Sequence, residues 1–329
     1  MTIRAGDTAG KRTNAPEGRG LASKHPSFRH EALLYDDLGT FVDAATAFIE
    51  DGLQADSATL VVLSAAKIAA LRAALGPVSG SVAFADMANV GANPARIIPA
   101  WSDFVASHSG SGRPLRGIGE PIWAERTPAE MAECHIHESL LNLAFGEGPP
   151  FWLLCPYDTA SLDRTALGGA YRNHAFVQSG TAHADSEHFS PSAADLWADP
   201  LPPIPGYADT MEFDADSLSD VRRFVAHRAS AAGLTADRTA DLVVAINELV
   251  TNSVIHAAGA GGLAVWREGD TLLCEVTDRG TFDRPLAGRV RPSVSQPGGR
   301  GLWLVNQICD LVQLRLLRDA TVVRVHQHL

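Results

Sequence analysis

The chain has 329 residues, 46% of them hydrophobic, with 27 Lys and Arg against 38 Asp and Glu and a formal net charge of −11. The length suits two ordinary domains, and the hydrophobic content excludes a globally disordered chain. An acidic surface repels phosphate, so no direct nucleic acid partner is expected, and the longest apolar runs, 58–63 and 150–155, are too short to span a membrane.

Residues 1–24 are rich in Gly, Ala, Lys and Arg, without periodicity, and read as a disordered tail. They lack the apolar centre of a secretory signal, so a cytoplasmic location is expected. The run at 6–11 imitates a phosphate loop, but its spacing is one residue short, Arg12 stands where Ser or Thr is needed, and no strand precedes it. From 25 to 177 short apolar runs alternate with helical patterns. Strands are expected at 32–35, 58–63, 82–85, 115–118 and 151–155, and helices at 41–50, 65–75, 94–108 and 128–145. That alternation predicts an α/β domain with a parallel sheet covered by helices. Residues 178–206 hold five prolines and no Lys or Arg, and read as a linker.

From 207 to 329 the order changes. Helices are expected at 218–232, with Ser217 as N-cap, and at 237–257. Strands follow at 263–267 and 271–277, joined by a Glu-Gly-Asp hairpin signal, then a Gly/Pro-rich loop over 279–299, a helix at 301–309 and strands at 312–317 and 321–326. Helices ahead of an antiparallel sheet predict a second α/β domain, a two-layer sandwich.

Three elements of this region fit one purpose. Glu248, Asn252 and His256, in the run ELVTNSVIH, share one helix face at i, i+4, i+8. An Asn carbonyl is a suitable oxygen donor for Mg²⁺, and a carboxylate one turn away can polarise a hydroxyl. Asp278, at a strand end in Thr277-Asp-Arg-Gly280, can accept from an adenine amino group, and Gly280 allows close backbone approach. Gly298-Gly-Arg-Gly-Leu-Trp303 puts glycines directly before a helix, whose free N–H groups suit a phosphate chain.

In this order these motifs resemble the GHKL ATPases (the Bergerat fold of gyrase, Hsp90-type chaperones, histidine kinases and MutL), and within them the anti-sigma-factor serine/threonine kinases. The resemblance implies an enzyme using ATP and Mg²⁺, with Glu248 as catalytic base and Asn252 as Mg²⁺ ligand. It further implies Asp278 as adenine reader, Gly280, Gly299, Arg300, Gly301 and Leu302 along the nucleotide, and Thr321 supporting the adenine-binding Asp. After Gly280 the chain reads Thr-Phe-Asp instead of reaching a further glycine, which points to a lid around 282–297 that closes differently. His256 is expected to pack at the helix end. The implied partners are a sigma factor and a STAS-type anti-anti-sigma protein, in a bacterial regulator of transcription and stress response; a homodimer is compatible. Alternatives are a sensor histidine kinase, which needs a phosphoacceptor His on a helix where the Pro-rich linker stands, and a catalytically silent ATP-dependent binding module.

The first region resembles the MEDS sensory domain, similar to a RecA/KaiC-like core without its phosphate loop. The runs that carry it are His30-Glu-Ala-Leu-Leu-Tyr35, Gly119-Glu-Pro-Ile-Trp123, His137-Glu-Ser-Leu-Leu-Asn142 and Leu154-Cys-Pro-Tyr-Asp158. Glu120, Trp123, Glu138 and Tyr157 are candidates for contacts to an unknown signal ligand at the carboxyl ends of the strands, or for fold-stabilising contacts. Cys134, Cys155, His30 and His174 can meet only through the fold, and the reading favoured for them is buried thiols and hydrogen-bonded imidazoles.

Overall fold

The computed structural model describes residues 27–190, 197–257, 259–281, 284–292 and 299–329. The expected tail, the run at 6–11 and most of the second half of the lid lie outside the described residues. Among the described residues no helix is long and apolar enough to cross a membrane.

The first half builds β1 (Phe28–Tyr35), α1 (Leu38–Gln54), β2 (Ala58–Leu63), α2 (Ala65–Leu75), β3 (Ala83–Asp86), α3 (Met87–Val90), α4 (Ile97–His108), β4 (Leu115–Gly119), α5 (Pro128–Phe145), β5 (Phe151–Asp158), α6 (Arg164–Asn173), β6 (Phe176–Ser179) and β7 (Ala182–Asp185). The sheet order is β3-β2-β4-β5-β1-β6-β7, parallel except for the last pair. Continuous apolar runs become central strands because both faces are covered. Leu33, Val61, Ile118 and Leu154 pack with α1 and α2. Ala32, Val62, Leu153 and Cys155 pack with α4, α5 and α6 on the other face. Helix α5 opens with a full capping box, Thr127 with Glu130, and Pro128 in its first turn.

Two expectations are corrected here, and one helix is added. Residues 94–108 are not one helix: Pro94–Arg96 is a 3₁₀ turn leading into α4. The linker does not begin at 178, because β6 and β7 extend the first sheet to Asp185. Helix α6 is an addition; it packs Ala166, Leu167, Ala170 and Tyr171 on the core, a short stripe among Gly, Arg, Thr and Asn.

The second half builds β8 (Asp209–Asp214), α7 (Leu218–Ala232), α8 (Ala236–His256), β9 (Ala260–Glu268), β10 (Thr271–Asp278), α9 (Arg300–Ile308), β11 (Leu311–Leu317) and β12 (Ala320–His328). Its sheet, β11-β12-β10-β9-β8, is antiparallel throughout. Val225, Ile246 and Val305 from the three helices pack on Val265, Cys274 and Val325, which makes the two-layer sandwich. Ser217 does not cap α7 through its side chain; its hydroxyl instead donates to the Asp214 carbonyl and accepts from the Asp214 N–H.

The two halves touch through polar anchors. Arg96 donates to the carbonyls of Asn306 and Cys309 at 2.8 and 2.7 Å, a cation on the C-terminal end of α9. Asn93 bonds the same Asn306. On α5, Glu133 accepts from Arg289 at 2.9 Å and from Arg315 at 2.7 Å, with all three side chains buried. The segment between the halves docks on the second sheet: Trp197 is buried and its carbonyl accepts from Leu316 N–H, and the Pro202 carbonyl accepts from Arg324. Leu196 lies outside the described residues, and Ile204 is exposed.

Candidate functional site

Helix α8 supplies one wall of a cleft of about 300 Å³ in the second half, with the ends of β10 and β12 and the start of α9 opposite. Its apolar face, Leu242, Ile246, Leu249 and Val250, is buried in the core, which turns Glu248 and Asn252 toward α9. Gly299 takes a left-handed φ of 82° as the N-cap of α9 and makes no side-chain cap bond, so the first N–H groups of the helix keep no such partner. Gly301 is where the two helices close. A Cβ built there would lie 2.9 Å from Glu248 Oε2, closer than real Cβ atoms sit, and 3.1 Å from Asn252 Nδ2, a tight contact. Glycine lets the helix start approach the carboxylate and the amide without displacing either side chain.

At the other end of the cleft, Asp278 is held by two donors. Its Oδ1 accepts from Gly280 N–H at 2.7 Å and its Oδ2 from Ser253 Oγ at 2.5 Å. A carboxylate has about four acceptor sites, so it can still take a hydrogen bond from a ligand. Thr321 faces Asp278 across the β10–β12 register, yet its hydroxyl donates to the Gly280 carbonyl at 2.8 Å and so fixes the turn. Leu302 lines the cleft, and Arg300 is exposed in the first turn of α9. His256 is exposed and lines the cleft, in place of the packing role expected at the helix end. Ser253, missed in the sequence, was adjacent to Asn252; its partner Asp278 lies in another element, which is why spacing alone did not single it out.

The four residues proposed for a sensory ligand separate into two places. Glu120 and Trp123 line a cavity of about 280 Å³ at the carboxyl ends of β1, β2, β4 and β5, together with Tyr35, Ser64, Lys67 and Asp158. There Glu120 accepts from Lys67 at 2.5 and 2.6 Å and from Tyr35 at 2.6 Å. Burial pushes the Glu120 carboxyl up, and the neighbouring Lys67 opposes it. Lys67 carries no sequence signal of its own; only the fold turns it onto Glu120. Glu138 and Tyr157 point elsewhere, into a fully buried cluster with His30, Cys155 and His174. Cys134 stays out of it, donating to the Pro121 carbonyl, and burial pushes its thiol up to about 12.

The model of the MEDS family (MEthanogen/methylotroph, DcmR Sensory domain) matches residues 29–175, and that of the histidine kinase-like ATPase domain matches 211–326. The serine-protein kinase RsbW of Halalkalibacterium halodurans is 31% identical over 131 residues, covering 35% of this chain and 80% of that kinase. The chain belongs to this serine-protein kinase family. In it a MEDS domain precedes the ATPase-like domain, and the cleft just described lies wholly within the second. The solved structure of the Acinetobacter baumannii histidine kinase AdeS shares 13% identity with a TM-score of 0.25, over 36% of this chain and 67% of that one.

Proposed function

We infer that this chain is an anti-sigma-factor regulatory protein: it binds ATP with Mg²⁺, engages a sigma factor, and phosphorylates a STAS-type anti-anti-sigma protein on Ser or Thr. The observation that carries the reading is the closure of Gly301 on Glu248 and Asn252, which sets a carboxylate, a side-chain amide and the start of a helix around one point. The donor set fits the nucleotide and its ion. Asn252 would hold Mg²⁺ through its carbonyl oxygen, and the ion supplies positive charge to the phosphate oxygens. The start of α9 donates N–H groups to phosphate. Asp278 accepts from the adenine amine with its remaining lone pairs. Glu248 takes the proton of the attacking hydroxyl as the phosphoryl group moves in line.

The sensor histidine kinase reading requires a phosphoacceptor helix directly before the ATPase domain. Among the described residues no helix lies between α6 and β8.

The MEDS domain has a route to the nucleotide. Helix α9 carries Gly301 in its first turn, against Glu248, and ends on Arg96 and Asn93 of the MEDS domain. Arg289, in the lid segment, is held by Glu133 of α5. A signal that favours one arrangement of this contact would shift nucleotide affinity, with a coupling of roughly 1–3 kcal/mol typical of such regulation.

Calorimetry on the full chain is expected to show ATP binding that depends on Mg²⁺. Asn252→Ala should weaken it roughly 10- to 100-fold, the worth of a contact to a charged group. Gly301→Val should weaken it comparably, since its side chain would enter the space beside Glu248 and Asn252. Absence of binding by the wild type at millimolar ATP would overturn the reading.

A further inference from the structure

We propose that His30, Glu138, Cys155 and His174 form a buried site for one divalent transition-metal ion of the zinc class. The residues come from four elements: β1, α5, β5 and the C-terminal end of α6. The β1–β5 register pairs Ala32 with Cys155, and His30, two positions before Ala32, shares its face of the sheet. One donor atom of each residue lies within 4.8 Å of all the others. His30 Nε2 and His174 Nε2 sit 3.1 and 3.2 Å from Glu138 Oε2, and Cys155 Sγ sits 3.4 Å from His30 Nε2. Zinc bonds of about 2.0–2.3 Å give tetrahedral donor–donor edges of roughly 3.3–3.8 Å. Three of the six edges already approach that length, and all six lie within 4.8 Å.

The tautomers sharpen the argument. Asn142 donates its Nδ2 to the Asn173 carbonyl at 2.8 Å, so its Oδ1 is the atom that faces His30 Nδ1, at 3.2 Å. His174 Nδ1 faces the Ala170 carbonyl at 2.8 Å. Both Nδ1 atoms are therefore N–H donors, and in the neutral imidazoles both Nε2 atoms turn a lone pair toward the carboxylate. Acceptor then faces acceptor among buried groups. Consistent with that, among the described residues neither oxygen of Glu138 nor His174 Nε2 has a hydrogen-bond partner, and the buried Tyr157 hydroxyl beside the His174 ring has none either. Among the described residues no Lys or Arg pairs with Glu138; its ion-pair contacts are the two imidazoles. A lone buried carboxylate is costly, and a shared cation resolves the whole arrangement. Imidazole, thiolate and carboxylate suit zinc-like ions, and Nδ1–H groups anchored on oxygen are the outer-shell support such ligands use. On binding, the Cys155 S–H bond breaks, its proton leaves to solvent, and sulfur gives its pair to the metal. The dication is then balanced by one thiolate and one carboxylate. Five residues before Glu138 on α5, Glu133 grips Arg289 and Arg315 of the ATPase domain, so the site sits on the helix that holds the lid segment.

The test is titration of the full, chelator-treated chain with Co²⁺ in the absence of ATP, followed in the ultraviolet and visible. The expected result is a thiolate-to-cobalt charge-transfer band with intense tetrahedral d–d bands, saturating at one ion per chain and reversed by Zn²⁺. Cys155→Ser should remove the charge-transfer band, and Asn142→Ala, which leaves all four ligands in place, should weaken affinity about 10- to 100-fold. Three results would overturn the proposal: no charge-transfer band at excess Co²⁺, a band unchanged in Cys155→Ser, or only the pale spectrum of oxygen-bound cobalt. Should Cys155→Ser fail to fold by near-ultraviolet circular dichroism, the wild-type spectrum and the Asn142→Ala shift decide it.

Discussion

Glu248→Ala is expected to lower phosphoryl transfer roughly 100- to 10,000-fold, the range that a positioned general base contributes, while ATP·Mg²⁺ still binds. The split follows from where the residue stands. Glu248 is one helical turn from Asn252 and touches the space at Gly301, but it is not at the other end of the cleft, which Asp278, Gly280 and Thr321 line. On the proposed function its contribution is therefore expected in the transition state and not in ground-state affinity. Glu248→Gln keeps the shape and loses the proton acceptor, so it should match the alanine variant in transfer. Single-turnover transfer rates measured beside calorimetric ATP affinity separate the two effects; transfer at the wild-type rate in either variant would remove Glu248 from the role of base.

Glu133→Ala is expected to destabilise the full chain by about 3–5 kcal/mol, because it strands two buried guanidinium groups at once. Arg289 and Arg315 each end on one oxygen of Glu133, and none of the three side chains is more than 7% exposed. Burial already lowers the pKa of Arg289, and the carboxylate works against that shift. The contrasting variant is Asp103→Ala: its pair with Arg291 is 61–64% exposed, and its loss should cost less than about 1 kcal/mol. Urea unfolding of the two variants beside wild type makes the comparison. Equal, small effects would mean that the Glu133 contact is solvated and that α5 does not hold the ATPase-like domain.

Much of the fold was legible because its strongest signals are local. The strand at 58–63 and the helices at 65–75 and 128–145 fall on their expected bounds, since each is an apolar run or stripe closed by a cap such as Ser64 or Thr127. What escaped has weak local signal. Strand β8 buries only Phe213, β7 is exposed along its whole length, and α6 packs only a short stripe on the core. In the candidate site, Glu248 and Asn252 were readable from helical spacing, and the glycines from their place before a helix. The partners of Asp278 were not, because Ser253 and Gly280 reach it through the meeting of α8 with β10. The buried His-Glu-Cys cluster shows the same limit: sequence spacing put His30 and Cys155 125 residues apart, and only the parallel pairing of β1 with β5 brings them to one face.

The most direct test of the proposed function is incubation of the full chain with γ-labelled ATP and Mg²⁺, alone and with each STAS-type protein and sigma factor of the same organism. The expected result is acid-stable label on a Ser or Thr of a STAS-type partner, present with wild type and absent with Glu248→Ala. Acid-labile label on a histidine of the chain itself, or labelling of the partner that Glu248→Ala leaves unchanged, would contradict it.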